Sequence, residues 1–226
     1  PLLTLNQQAE AVNVGDLLRD LKGEGRLTGT GNLEVDLSSR GWAQEEFIQG
    51  LSGQASLKVA KGHLRGFDLE RAIQRAEEGI RGKAGLPKAD GPDQTEFNDL
   101  RATARIEQGI IATQDLQASS GYFQAKGKGR IDLPKDELDF DIEARVVNAP
   151  ADRAIKEIEG IPIPIHVSGS LRFPEWRLDP SPVVKEVARR RLEQELDRGE
   201  GNRLQQLEER TGIRGLEKGL KSLLGR

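Results

Sequence analysis

The chain has 226 residues and a formal net charge of −3, with 31% charged, 35% hydrophobic and 4% aromatic residues. The balanced charge and the scarcity of stacking side chains argue against a nucleic-acid partner, and the absence of cysteine excludes disulfides, zinc–thiolate sites and a cysteine nucleophile. The low hydrophobic content predicts a thin core, as in a single sheet with few helices, rather than a three-layer α/β fold.

The ends of the sequence suggest that it belongs to a longer polypeptide. It begins at Pro1 and contains no methionine. No apolar run approaches the roughly 20 residues that a membrane-spanning helix needs. We therefore expect any membrane anchor to lie in a segment absent from this sequence.

Alternating apolar and polar residues predict strands in the first part of the chain. Residues 31–37 (GNLEVDL) and 54–59 (QASLKV) each present one apolar and one polar face. Their predicted apolar side chains include Leu33, Val35, Leu37, Leu57 and Val59. Lys61 and Gly62 predict a turn before a returning strand at 63–67, and helical spacing predicts amphipathic helices at 41–51 and 68–80.

The stretch 98–171 continues the alternation through several segments separated by short turns. Such spacing is typical of an antiparallel meander with one apolar face. The apolar side chains of interest here are Ala104, Ile106, Ile131, Leu133, Phe140, Ile142, Ile163 and Ile165. The fold class predicted is mostly β (α+β): a curved antiparallel β-meander, or half-open β-groove, packed with a few amphipathic helices.

The segment 161–165 (IPIPI) has proline at alternate positions. Proline donates no backbone hydrogen bond, so two ladder donors are missing on the same side of the strand. We therefore expect an edge strand or the end of a strand at this point.

From Pro180 onward the pattern changes to a helical period, which predicts a division into residues 1–180, a β-groove domain, and 181–226, an amphipathic helical C-terminal tail. The end of the tail combines leucines with basic residues, a pattern suited to an anionic membrane surface or a partner protein. These residues are Leu216, Lys218, Leu220, Lys221, Leu223 and Leu224. The alternative is a helix packed back on the sheet.

Residues able to support catalysis are sparse. The two histidines, His63 and His166, fall within predicted strands and lack a nucleophile or paired carboxylate at a recognisable spacing. Three carboxylates share a strand face at Asp139, Asp141 and Glu143, but a solvated outer face is a more common setting than a cation site. We predict no catalytic residue, no metal site and no cofactor.

Four segments in order resemble the C-terminal region of AsmA family proteins. They are residues 27–41 (LTGTGNLEVDLSSRG), 51–69 (LSGQASLKVAKGHLRGFDL), 95–109 (TEFNDLRATARIEQG) and 160–171 (GIPIPIHVSGSL). The second segment is the most specific, and the resemblance extends over about residues 3–180.

The resemblance implies a protein of the Gram-negative envelope, with an inner-membrane helix and a long periplasmic body shaped as an apolar-lined β-groove. It further implies phospholipid transport between the inner and outer membranes and a role in outer-membrane homeostasis. An association of the family with assembly of outer-membrane proteins provides the alternative, a non-catalytic scaffold that binds envelope proteins through its C-terminal helices.

On the first hypothesis, phospholipid acyl chains lie on the apolar strand residues named above, since each buried methylene contributes roughly 0.8 kcal/mol without a specific contact. The competing interpretation is that the same face packs under the helices at 43–51 and 68–80. Composition and periodicity alone leave both open.

Overall fold

The computed structural model of the chain describes residues 2–16, 26–66, 68–69, 94–149 and 154–195. Most of the helix predicted at 68–80 lies outside these residues. So do the tail residues Leu216, Lys218, Leu220, Lys221, Leu223 and Leu224. The chain divides into two compact units, residues 1–180 and 181–226.

Nine antiparallel strands form one open sheet in which each strand pairs with its neighbours in the chain, in the order β1 to β9. Their bounds are β1 Leu2–Asn13, β2 Leu27–Arg40, β3 Ser52–Arg65, β4 Gln94–Glu107, β5 Ile110–Ser119, β6 Phe123–Asp132, β7 Glu137–Val146, β8 Ile163–Ser170 and β9 Pro174–Leu178. The described helices are α1 (Gln44–Gln49), a 3₁₀-helix (Ala154–Ile158) and α2 (Ser181–Glu195). The predicted mostly-β class and antiparallel meander are confirmed.

The turn predicted at Lys61 and Gly62 is wrong, because β3 continues through both residues to Arg65. Between Thr28 and Thr30 of β2 the register with β3 shifts by one, so β3 holds one extra residue there, and Lys61 has a φ of 49°. A Cβ atom at Gly62 would lie 2.0 Å from the carbonyl oxygen of Thr28. The glycine therefore permits close strand packing at a β-bulge instead of a chain reversal.

The proline-rich segment lies at the end of a strand and not at the edge of the sheet. Pro162 precedes β8, and Pro164 is its second residue, opposite Glu143 of β7. The carbonyl oxygen of Pro164 accepts a hydrogen bond of 3.1 Å from the backbone N–H of Asp179. The edge is β9, which sequence periodicity missed because it has only five residues.

Two more bulges, in β1 and β5, are stabilised by hydrogen bonds between a side chain of one strand and the backbone of its neighbour. The extra residue in β1 lies between Ala9 and Val12, where Asn32 Oδ1 accepts the backbone N–H of Ala11 at 3.0 Å. In β5 the extra residue lies between Thr113 and Leu116. Since bulges bend and twist the strand that holds them, they contribute to the curvature of the sheet.

At the β5 bulge the carboxylate of Asp115 takes the place of a backbone carbonyl as the hydrogen-bond acceptor between β5 and β4. It accepts the backbone N–H and the hydroxyl of Thr103, each at 2.8 Å, and the hydroxyl of Thr113 at 3.1 Å. The bond from the Thr103 backbone N–H, followed by that from its hydroxyl, holds the pKa of Asp115 below its ordinary value. These bonds stabilise the charged form of the side chain in the folded chain.

We expect Asp115→Asn to change the acid dependence of stability. A carboxyl pKa that is lower in the folded state contributes stability above the unfolded pKa, which is about 3.9 for aspartate, and loses it as the pH falls through the folded value. The free energy of unfolding of the variant should therefore approach that of the parent as the pH is lowered from about 6 to about 3. Urea denaturation at several pH values measures this, with Asp36→Asn as the control at an exposed carboxylate. A difference that does not change with pH would contradict the assignment.

The largest group of deeply buried apolar residues in the sheet unit lies around β7 and β8. It consists of Ala144, Val146, Ile158, Ile161, Ile163, Ile165 and Val167, each at most 4% exposed, and a second set at the same level lies in the first half of the chain, namely Val14, Val59, Leu69, Phe97 and Ile106. The segment between β7 and β8 belongs to this core, because Ile158 and Ile161 lie on either side of the bridge between Val146 and Glu159. By contrast, most apolar side chains of β2 are half-buried.

The two edges of the sheet differ in how they are protected. The edge strand β9 is short and begins with Pro174, both of which discourage pairing with another chain. The edge strand β1 has 12 residues, and its Leu3 and Leu5 are 57% and 43% exposed. A long, unblocked apolar edge is a template for strand addition.

We therefore expect the isolated chain to self-associate through β1 as its concentration rises. Leu5→Lys should lower the weight-average mass in sedimentation experiments, because it places a charge in the edge strand. Trp42→Lys is the matched control, since Trp42 is 90% exposed but lies outside the strand. An equal effect of both substitutions, or a monomer at all concentrations, would rule out association through β1.

Candidate functional site

The strand register brings most of the apolar side chains of the nine strands onto one surface, named here the apolar face. One row of residues crosses the sheet with a single apolar residue or glycine in each strand. The row is Leu5, Leu37, Gly53, Ile106, Ile111, Ile131, Leu138, Gly169 and Pro174, each directly opposite the next. Such a row makes the apolar face continuous from one edge of the sheet to the other.

The residues that the sequence singled out fall on this face, with one exception. Those on the apolar face are Leu33, Val35, Leu37, Leu57, Val59, Ala104, Ile106, Ile131, Phe140, Ile142, Ile163 and Ile165. Leu133 lies instead in the hairpin turn after β6, where its backbone N–H donates to the Gly109 carbonyl oxygen at 3.1 Å. The turn begins at Asp132, whose side chain accepts the Lys135 backbone N–H, and this ends the strand before Leu133.

Exposure varies along the apolar face. Leu33, Val35, Leu37 and Leu57 are half-buried, whereas Val59 and Ile106 are buried. Half-buried leucine and valine side chains in the middle of a sheet retain apolar surface that another apolar molecule could cover. The apolar-face positions that the structure describes carry no charged side chain, and the polar residues among them are Gln7, Ser39, Thr95 and Thr113.

The sheet curves around its apolar face. Leu64 of β3 and Trp176 of β9 line the same apolar cavity of about 90 Å³. Six inter-strand steps of about 4.8 Å would separate these strands by about 29 Å in a flat sheet. A hydrogen bond from the Arg26 guanidinium to the Arg172 carbonyl oxygen also joins the start of β2 to the β8–β9 turn. The sheet is therefore strongly bent, with the apolar face on the inside between β3 and β9.

The β3 bulge has a direct consequence for this cavity. Without the extra residue near Lys61, the two-residue period would direct Leu64 to the opposite face from Val59. With it, Leu64 pairs with Leu27 and lines the cavity beside Leu100. The bulge thus restores an apolar side chain to the inner surface.

The cavity lining also includes residues that sequence reasoning left out. They are Leu69, Thr95, Phe97, Leu100, Leu116, Ala118, Phe123, Ala125, Lys126, Ala144 and Trp176. Several of them lie in strands predicted correctly, so their alternation could have identified them. Trp176 could not be found in this way because β9 was not predicted.

The opposite, polar face carries the charged residues considered for catalysis or cation binding. Lys126, Lys128 and Arg130 of β6 lie directly opposite Glu143, Asp141 and Asp139 of β7. His166 Nδ1 lies 3.1 Å from Asp141 Oδ1, and His63 Nε2 lies 3.3 Å from Glu96 Oε1. Within the described part of the chain, no three His, Asp or Glu residues group together as metal ligands would. The three β7 carboxylates lie opposite cationic residues on the polar face, and Glu143 also pairs with Arg145 of its own strand at 2.7 Å.

Comparison with known proteins supports one family. Residues 2–116, more than half of the chain, match the profile of the AsmA family. Protein AsmA of Escherichia coli (strain K12) is 24% identical over 202 residues, which cover 88% of this chain and 32% of that relative. The chain thus spans about a third of the length of the curated relative that it matches. No solved structure matches the chain significantly.

Proposed function

Since the chain belongs to the AsmA family, we propose that its apolar face binds phospholipid acyl chains and that it takes part in phospholipid transport between the inner and outer membranes of a Gram-negative envelope. The observation that carries the proposal is the unbroken row of apolar residues and glycines from Leu5 to Pro174, on the face that lies inside the bend between β3 and β9. The setting proposed is the periplasm, with membrane anchoring by a segment outside the sequence described here.

The dimensions of the face suit acyl chains. Eight inter-strand steps of about 4.8 Å give the sheet a width of about 38 Å along its surface. One leaflet of a bilayer has a hydrocarbon thickness of about 15 Å, half of the roughly 30 Å core. An acyl chain can therefore lie across several strands without reaching either edge.

The composition of the face supports binding without headgroup recognition. Each methylene transferred from water contributes roughly 0.8 kcal/mol, so about ten methylenes contribute about 8 kcal/mol before the cost of ordering the chain. Because the described apolar-face positions carry no charged side chain, nothing in them distinguishes one phospholipid headgroup from another. We expect binding to depend on acyl length more than on headgroup.

No helix in the described residues is long and apolar enough to cross a membrane. Helix α2 is polar on average and carries ion pairs between Arg189 and both Glu186 and Glu193, at 2.6 and 2.7 Å. The tail residues proposed for membrane or partner binding are not among the described residues. The alternative of an assembly factor acting through its C-terminal helices therefore gains no support from the fold.

Lipid extraction tests the proposal directly. The chain is purified without detergent from a Gram-negative host and examined by native mass spectrometry and by chromatography of its organic extract. We expect bound phospholipids with the headgroup distribution of the host. Lipid-free protein that also fails to take up a fluorescent phospholipid from vesicles would contradict the proposal for this part of the molecule.

A further inference from the structure

A second concavity, larger than the apolar cavity, lies on the polar face of β1 to β4 and has a volume of about 870 Å³. A twisted sheet is saddle-shaped, so each of its faces is concave along one diagonal. One row of residues that line the concavity consists of Asn6, Asp36, Gln54 and Arg105, each opposite the next in the strand register. This surface is separated from the apolar face by the thickness of the sheet.

Some polar side chains that line the concavity form hydrogen bonds with other side chains of the protein. Gln8 Nε2 donates to Glu34 Oε1 at 3.2 Å, and Arg105 Nε donates to Glu107 Oε1 at 2.6 Å. Both pairs are solvent-exposed, and each uses part of the hydrogen-bonding capacity of one carboxylate.

Other groups of the lining have no side-chain partner among the residues that the structure describes. These are the amides of Asn6 and Gln54, the hydroxyl of Ser56 and the carboxylate of Asp36. An amide supplies donors and an acceptor, and a hydroxyl supplies both from one atom. The available groups therefore offer donors and acceptors within a few ångströms of each other.

Charge and composition narrow the class of ligand. Three carboxylates against one guanidinium give the lining a negative balance, which disfavours phosphate-bearing ligands such as lipid headgroups. None of the described residues that line the concavity is aromatic, so they offer no surface for base stacking. The volume lies within the range of about 300–1,000 Å³ that small-ligand sites occupy.

We propose that this concavity binds a neutral, hydroxyl-rich glycan chain. Sugar hydroxyls donate and accept at once and so match the mixture of amide, hydroxyl and carboxylate groups along β1 to β4. Rows of side chains repeat about every 4.8 Å from strand to strand, which offers contacts to successive sugar units. The proposal is independent of lipid binding, because it concerns the opposite surface of the sheet.

The test is an NMR titration of the whole isotope-labelled chain with two neutral probes, a tetramer of N-acetylglucosamine and maltotetraose. We expect at least one probe to shift the backbone signals of β1 to β4 selectively, with a Kd below about 10 mM. Gln54→Ala and Asn6→Ala should each weaken binding about fivefold, the loss of one net hydrogen bond. Gln124→Ala, an exposed amide on the polar face of β6, should leave the affinity unchanged.

Three results would overturn the proposal: no selective shifts from either probe, equal losses in the Gln124→Ala control, or tighter binding of tetralysine than of both sugars at the same residues. The last would show that the surface selects for positive charge. Thermal unfolding of each variant verifies that the exposed substitutions leave the fold intact. Lipid content measured on the same samples separates this result from the function proposed for the apolar face.

Discussion

Leu57→Glu is expected to empty the apolar face of lipid, reducing the phospholipid that co-purifies with the chain at least tenfold. Leu57 is half-buried in the middle of the sheet, between Leu33 of β2 and Ala102 of β4. A carboxylate there must lose hydration when an acyl chain covers it, and that cost exceeds the 1.4 kcal/mol that corresponds to a factor of ten. Quantitative mass spectrometry of extracted lipid measures the loss.

The next residue in the chain provides a matched control. Lys58 points to the polar face, opposite Asn32 and Arg101, so Lys58→Glu introduces the same side chain without entering the proposed acyl path. Lipid content should stay close to that of the parent. Because Leu57→Glu could also destabilise the sheet, Leu5→Glu, at the exposed end of the same face, is a second test with less structural risk. Equal lipid content in the Leu57→Glu and Lys58→Glu variants would show that the apolar face does not hold the lipid.

Ile163→Ala is expected to lower the free energy of unfolding by about 2–5 kcal/mol, the range for removing a buried isoleucine and leaving a cavity. Ile163 is fully buried at the start of β8, opposite Ala144 of β7. A domain of this kind has a total stability of only about 5–15 kcal/mol, so the loss should be plain in urea denaturation as a lower midpoint with an unchanged slope.

Leu2→Ala provides the comparison, because Leu2 is a large apolar side chain that is 60% exposed in β1. It should change stability by no more than about 0.5 kcal/mol, as surface substitutions usually do. If both substitutions cost the same, the core would not be concentrated at β7 and β8. If Ile163→Ala cost less than about 1 kcal/mol, the site would have collapsed around the cavity or would not be buried.

The period-two alternation was sufficient to predict the meander and part of its apolar face. In segments such as 31–37 and 137–146, every second residue is apolar or glycine. When neighbouring strands pair in register, side chains that alternate along each strand remain on one face of the sheet. Leu133 shows the limit of this argument. Its spacing from Ile131 continues the alternation, but Asp132 starts a turn, and alternation carries no information once the strand has ended.

Other features depend on geometry that a one-dimensional pattern does not contain. The pair Lys61 and Gly62 has the composition of a turn, and only contacts with Thr28 and Phe97 show that the glycine serves close packing within a strand. The strand β9 is too short to give a periodic signal. The concavity on the polar face arises from the twist of four strands, so its residues read in sequence as an ordinary solvated surface.

Site-specific photo-crosslinking tests the central claim most directly. A benzophenone amino acid is placed at Leu138, in the continuous apolar row, and separately at Asp139, the next residue, which faces the other side of the sheet opposite Arg130. The variants are irradiated in cells of a Gram-negative host, and the purified proteins are weighed by mass spectrometry. Adducts with the mass of phospholipid at position 138 and not at 139 are the predicted result. Equal adducts at both positions, or none at 138 in a folded protein, would contradict an apolar face that holds lipid.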